Sequence, residues 1–178
     1  MNPMTGRHIL TGTAGVYHVM HKLACEGIHA SCTHGNAPNV DILASSGDAS
    51  RMVAMEVKTA ATALRWGGRG PNKQPHHLEF YLGHRAAKLN SPNLLLVFVD
   101  LRGEKTTDDV YVYPNAPDVY VYPSTFVAAF CAPWVDAVPM VRFHPLYQDA
   151  APFKNNWKPI HDALAGTISK NIIPNEPA

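Results

Sequence analysis

Apolar and polar positions change period along this chain. Between Thr13 and Gly27, Val16, Val19, Met20, Leu23 and Ala24 recur at helical spacing, with Thr13 as candidate N-cap and Gly27 as C-cap. Residues 1–10 read as a loosely held lead-in, and Ile28 to Cys32 as a short first strand. Val40, Ile42 and Leu43 surround Asp41, Ser46-Gly47-Asp48 supplies turn chemistry, and Met52, Val53, Met55 and Val57 resume a strand-like run. This predicts a β-hairpin over Asn39 to Thr59. Leu94 to Val99 is apolar on both faces, the pattern of a central strand covered on either side by helices.

The remaining segments are shorter. Thr59 to Arg65 reads as a helical or fraying continuation, and Trp66 to Pro75 as a Gly/Pro-rich loop. Leu78, Tyr81, Leu82, Ala86 and Leu89 fall on one face of a predicted helix over 78–89, stopped by Asn90-Ser91-Pro92-Asn93. Asp-Val-Tyr-Val-Tyr-Pro occurs twice, at 109–114 and 118–123, and predicts two short strands with tyrosines packed at the sheet margin. Ser124 is placed to cap a helix over 125–131, Val138 to Phe143 offers a strand, and Trp157, Ile160 and Leu164 mark a last helix with Asn156 as cap. The order predicts an α/β fold: a three-layer sandwich in which helices flank a small mixed β-sheet. One domain over 11–170 is expected, with 171–178 a frayed tail.

At 178 residues, with 46% hydrophobic and 16% charged content, the chain suits one globular domain with a sizeable core. A formal charge of +1 excludes a strong overall polyanion-attracting field, so any nucleic-acid surface must be a local patch. No apolar run approaches the roughly 20 residues of a membrane span, so no membrane partner is expected. Cys25, Cys32 and Cys131 form no CxxC pair, and no basic segment followed by an apolar stretch opens the chain. A reducing, cytoplasmic setting is expected. His18 and His21 have helical zinc-ligand spacing but no further ligand patterned with them, and His76-His77 should point in opposite directions on an extended chain.

The candidate chemistry lies in the hairpin. Glu56 and Lys58 are two apart on a strand and leave the same face, while Met55 and Val57 point to the other. If register brings Asp41 to that face, two carboxylates and an ammonium converge. Mg²⁺ prefers such oxygen ligands and keeps several waters, and a nearby lysine can orient a hydrolytic water or stabilise developing negative charge. Phosphodiester hydrolysis suits the set. The plain alternative is a solvated charge pair on an exposed strand. After the hairpin, Arg65, Trp66, Arg69 and Lys73 combine cations, open backbone and an aromatic ring able to grip a phosphate backbone or stack on a base.

Asp41, a hairpin, then Glu56-Val57-Lys58 resemble the PD-(D/E)xK signature of the restriction-endonuclease-like nuclease superfamily, with Asn39-Val40-Asp41 in place of Pro-Asp. The run Gly15-Val16-Tyr17-His18-Val19 through Leu23 and Gly27 resembles the superfamily's opening helix, and the resemblance covers about residues 11 to 101. It implies a restriction-endonuclease-like core and a metal-dependent nuclease acting on DNA. In that reading Asp41, Glu56 and Lys58 are catalytic; Asp41, Glu56 and the Val57 carbonyl hold Mg²⁺, with Mn²⁺ as a substitute. Many active members carry Glu after the glycine, where this chain has Val16. Either the site manages without it, or Tyr17 or His18 partly substitutes, or the domain binds nucleic acid or a partner protein without cutting. Homodimerisation is left open.

Overall fold

The computed structural model describes residues 3–33, 39–106 and 111–167, with side chains from residue 9 onward. In chain order the elements are α1 (Pro3–Cys25), β1 (His29–Cys32), β2 (Ile42–Ser45), β3 (Met52–Ala60), β4 (Leu64–Gly67), β5 (Gln74–Leu78), β6 (Phe80–Tyr81), α2 (Gly83–Ala87), β7 (Leu94–Asp100), β8 (Glu104–Lys105), β9 (Tyr111–Val112), β10 (Asp118–Pro123), α3 (Ser124–Cys131), β11 (Arg142–Phe143), α4 (Tyr147–Ala150) and α5 (Lys158–Ala165). Five strands form the main sheet in the order β1-β2-β3-β7-β10. All neighbours are antiparallel except β3 and β7, which run parallel with Glu56 beside Leu96 and Ala60 beside Asp100. The fold is a mixed α/β sandwich with helices on both faces of this sheet.

Strand alternation divides the core in two. Val53, Met55 and Val57 join Leu95, Val97, Val99, Val119 and Val121 on the face covered by α1 and α5, where Val19, Leu23, Trp157 and Ile160 pack. Leu96, Phe98, Tyr120 and Tyr122 point the other way, into a cluster with Phe80, Val127, Phe143 and Phe153. All seven residues of β7 are buried, as expected for a strand covered on both faces.

The long helix ends as predicted. Gly27 has a φ of 72°, and the Ile28 N–H donates to the Leu23 carbonyl at 2.9 Å, closing a left-handed cap that a β-carbon would strain. Its start lies ten residues earlier than expected: the lead-in is helical from Pro3, and the Thr13 hydroxyl donates back to the Ile9 carbonyl as a mid-helix residue rather than a cap. The β2–β3 turn follows the sequence reading. Asp48 accepts from both the hydroxyl and N–H of Ser50 and from the Ser46 hydroxyl, which lowers its carboxyl pKa to about 2.

Several expectations are corrected. The predicted helix over 78–89 is β5, β6 and a five-residue helix, because Leu78 pairs with Leu64, Phe80 pairs with Phe143, and Gly83 at φ 78° breaks the path between them. The Gly/Pro loop is a β4–β5 hairpin whose register shifts between Arg65 and Trp66. Within it the ring nitrogens Nδ1 of His76 and His77 lie 2.8 Å apart rather than on opposite sides. The strand expected over 138–143 is reduced to Arg142–Phe143. Ser124 does not cap α3; its hydroxyl donates to the Ser91 carbonyl and accepts from the Ser91 N–H, fastening the turn before β7. Asn156 accepts from the Lys158 N–H at the head of α5, as its capping role requires, although Trp157 occupies the cap position. Asp109 and Val110 of the first repeat and the tail fall outside the described residues.

Candidate active site

Asp41 stands one residue before β2, whose first pair is Ile42 with Met55. Its backbone is held from both sides: the Thr33 N–H donates to its carbonyl at 2.9 Å, and its own N–H donates to the Met55 carbonyl at 2.9 Å. From there the side chain reaches past the end of β2, and its Oδ2 accepts the Val57 N–H at 2.7 Å. A carboxylate thus takes the place in the ladder that a further β2 residue would have filled.

The polarity of β3 explains what this exposes. Ala54 donates to Asn93, and the Ala60 carbonyl accepts from Leu101, so the even-numbered backbone groups of β3 turn toward β7. The odd-numbered groups turn toward β2, and the N–H and C=O of one extended residue face the same neighbour. The Val57 carbonyl therefore faces the edge where β2 has ended and the Asp41 carboxylate sits.

Glu56 leaves the sheet on the face opposite Val57. It is only 5% exposed, which separates it from a solvated surface pair. Lys58 Nζ lies 2.5 Å from Glu56 Oε1, and the lysine side chain remains partly open to solvent. Glu56 Oε2 is buried and has no hydrogen-bond partner among the described residues. A buried carboxylate with one oxygen unsatisfied is costly to a fold, and such groups mark a place where an ion or a water belongs. Two carboxylates, one with an orphaned oxygen, and a backbone carbonyl are hard oxygen donors of the kind that Mg²⁺ accepts. Among the described residues no group of three or more His, Cys, Asp or Glu side chains could hold a metal ion. A cage built wholly of side chains, including one from His18 and His21, is not formed there.

The opening helix meets the far face of β3. A β-carbon at Gly15 would overlap the Thr59 hydroxyl, so glycine permits α1 to lie directly on the strand. Val16 packs against the core beneath α1, Tyr17 is exposed, and His18 is half-buried. Burial first, then Lys22 and His21, lower the His18 pKa.

The cationic segment divides. Arg65 donates to the Thr62 carbonyl at 3.0 Å and to Glu79 Oε1 at 3.1 Å, while Glu79 Oε2 accepts from Arg142. Its guanidinium is thus occupied in holding the β4–β5 hairpin. Trp66, Arg69 and Lys73 are exposed on that hairpin. Asp100 stands apart from Asp41 and Glu56; its Oδ1 accepts the Ala63 and Arg102 N–H groups and so fixes the turn after β7, and burial raises its pKa.

A cavity of about 340 Å³ lies at the carboxyl ends of β3 and β7, lined in part by Trp66, Arg102, Asn115, Asp118, Tyr147 and Lys154. Apart from Trp66 and Asp118, the first residue of the second repeat, no sequence pattern marked these residues, because they come from separate segments with no common motif.

The fold and site together define a mixed α/β protein with a Glu56–Lys58 pair on its central strand β3 and the Asp41 carboxylate on the intervening Val57 N–H. No protein-family model matches the chain, and no curated protein does. Among solved structures it is similar to a bacterial homing endonuclease, I-Ssp6803I, with a TM-score of 0.49 and 12% identity over 91% of this chain and 98% of that one. No described helix is long and apolar enough to cross a membrane.

Proposed function

We propose that this chain is a metal-dependent nuclease of the PD-(D/E)xK type that hydrolyses phosphodiester bonds in DNA. The observation that carries the reading is the Asp41 carboxylate on the Val57 N–H, beside a buried Glu56 with one free oxygen and Lys58 at 2.5 Å. Asp41, Glu56 and the Val57 carbonyl would hold Mg²⁺. The ion, when bound, polarises a phosphoryl oxygen and lowers the pKa of a coordinated water. Lys58, anchored through Glu56 yet open to solvent, orients the attacking water and offers positive charge where negative charge develops. Asp41, fixed by three hydrogen bonds, keeps its carboxylate in one place along the strand edge.

Asp41→Ala and Lys58→Ala should each abolish Mg²⁺-dependent cleavage of DNA while the circular dichroism spectrum stays native, with the unfolding midpoint lowered because each leaves a buried polar group without its partner. Full cleavage by either variant ends the assignment. A Mn²⁺-soaked crystal should show anomalous signal between Asp41 and Glu56.

A second reading, a nuclease-like domain that binds nucleic acid or a partner protein without cutting, is favoured by Val16, an apolar core residue where the resemblance has an acid. Calorimetric titration separates the two: no affinity for Mg²⁺ or Mn²⁺ supports the inactive form.

A further inference from the structure

The cavity at the carboxyl ends of β3 and β7 is chemically unlike the ion-binding cluster. It is on the same face of the sheet, since Ala60 pairs with Asp100 and Asp100 with Asp118, and Ala60 lies on the Glu56–Lys58 side of β3. Four residues of strand, about 13 Å, separate Ala60 from Glu56. Ligands of open sheets with parallel strands gather at such carboxyl ends.

Its lining supplies three kinds of contact. Trp66 is 55% exposed, a large flat ring left uncovered beside a concavity. The Asp118 carboxylate is mostly buried and held between Lys154 Nζ at 2.8 Å and Arg102 Nε at 3.8 Å, while both cations keep part of their surface in solvent. Asn115 and the half-buried Tyr147 add groups that donate and accept. A flat ring with a hydrogen-bonding edge and an attached anion would use all three.

We propose that this cavity is a nucleotide-binding pocket, taking a base against Trp66 and Tyr147, reading its edge with Asp118 and Asn115, and holding its phosphate with Arg102 and Lys154. Stacking on an aromatic ring tolerates any base, while a fixed carboxylate selects bases that present an amino donor. The same chemistry is offered by a free mononucleotide and by one nucleotide of a strand. The strand-borne form rests on the nuclease reading above; the free form does not.

The test uses the full chain in metal-free buffer with EDTA, so that failure of the ion site leaves it untouched. The four 5′-deoxymononucleotides, and separately a short single-stranded oligonucleotide, are titrated while the Trp66 indole N–H is followed by NMR, its resonance assigned from Trp66→Phe. Saturable shifts of that resonance are expected, and isothermal titration calorimetry should give affinity at least tenfold weaker in Trp66→Ala and in Asp118→Asn than in the wild type. Saturation by mononucleotides identifies the free ligand, and saturation by the oligonucleotide alone identifies the strand. No shift with millimolar mononucleotide or with oligonucleotide, or equal affinity in folded Trp66→Ala, overturns the pocket. Because Trp66 is exposed, that variant keeps the test decisive even if Asp118→Asn unfolds.

Discussion

At the scale of single residues, Glu56 is the position where function and stability pull apart. Its side chain is buried with one oxygen on Lys58 and the other without a partner, so the carboxylate gives the fold less than an amide of the same shape would. Lys58 reaches solvent and can be hydrated once its partner is neutral. Glu56→Gln should therefore leave unfolding free energy unchanged or raise it by up to about 1 kcal/mol. Mg²⁺ affinity should fall at least tenfold in the same variant. Urea denaturation and calorimetry on one preparation read both; a destabilisation above about 2 kcal/mol would make the carboxylate a structural group.

At the scale of elements, the site depends on how closely α1 lies on β3. That approach is set by the contact of Gly15 with Thr59, on the side of the strand opposite Glu56 and Lys58. Gly15→Ala should destabilise by about 1–3 kcal/mol through overpacking, despite alanine's higher helix propensity. Combining it with Thr59→Ala should recover part of the loss, with a coupling energy above about 0.5 kcal/mol in the double-mutant cycle. Additive effects would locate the strain elsewhere. Elements also show where periodicity misleads. Leu78, Leu82 and Ala86 fit a helical face, but Leu78, Phe80 and Leu82 are also a period-two set, and all three are buried. The choice between the two patterns is made by Leu64 and Phe143, the partners that β5 and β6 find across the molecule.

At the scale of the whole molecule, two half-buried histidines tie stability to pH. His18 and His77 have lowered pKa values: His18 by burial, Lys22 and His21, His77 by burial, His76 and, less strongly, His144 and Arg65, against an opposing contribution from Glu79. Below the ordinary histidine value near 6.5 the unfolded chain binds protons that the folded protein resists. Their contribution is therefore present above that value and lost as pH falls toward the folded pKa values. The melting temperature should drop between pH 7 and pH 5, and His18→Gln with His77→Gln should flatten the drop. An unchanged slope would show that these histidines titrate freely in the folded state.

The amino-acid sequence alone determined the buried strand at Leu94 to Val99, the cap at Gly27, and the hairpin that puts Asp41 near Glu56 and Lys58. Each follows from local rules of period, turn chemistry and chirality. The repeated Asp-Val-Tyr-Val-Tyr-Pro shows what those rules leave undecided. In the second copy Tyr120 and Tyr122 are each 1% exposed beside β7, in the core and not at the sheet margin. In the first copy Tyr111 and Val112 pair with Lys105 and Glu104, outside the main sheet, and Tyr113 is 49% exposed. Identical residues have identical propensities, so only the tertiary structure decided which copy was buried. The cavity beside Asp118 is of the same kind: its walls come from separate segments, and folding alone brings them together.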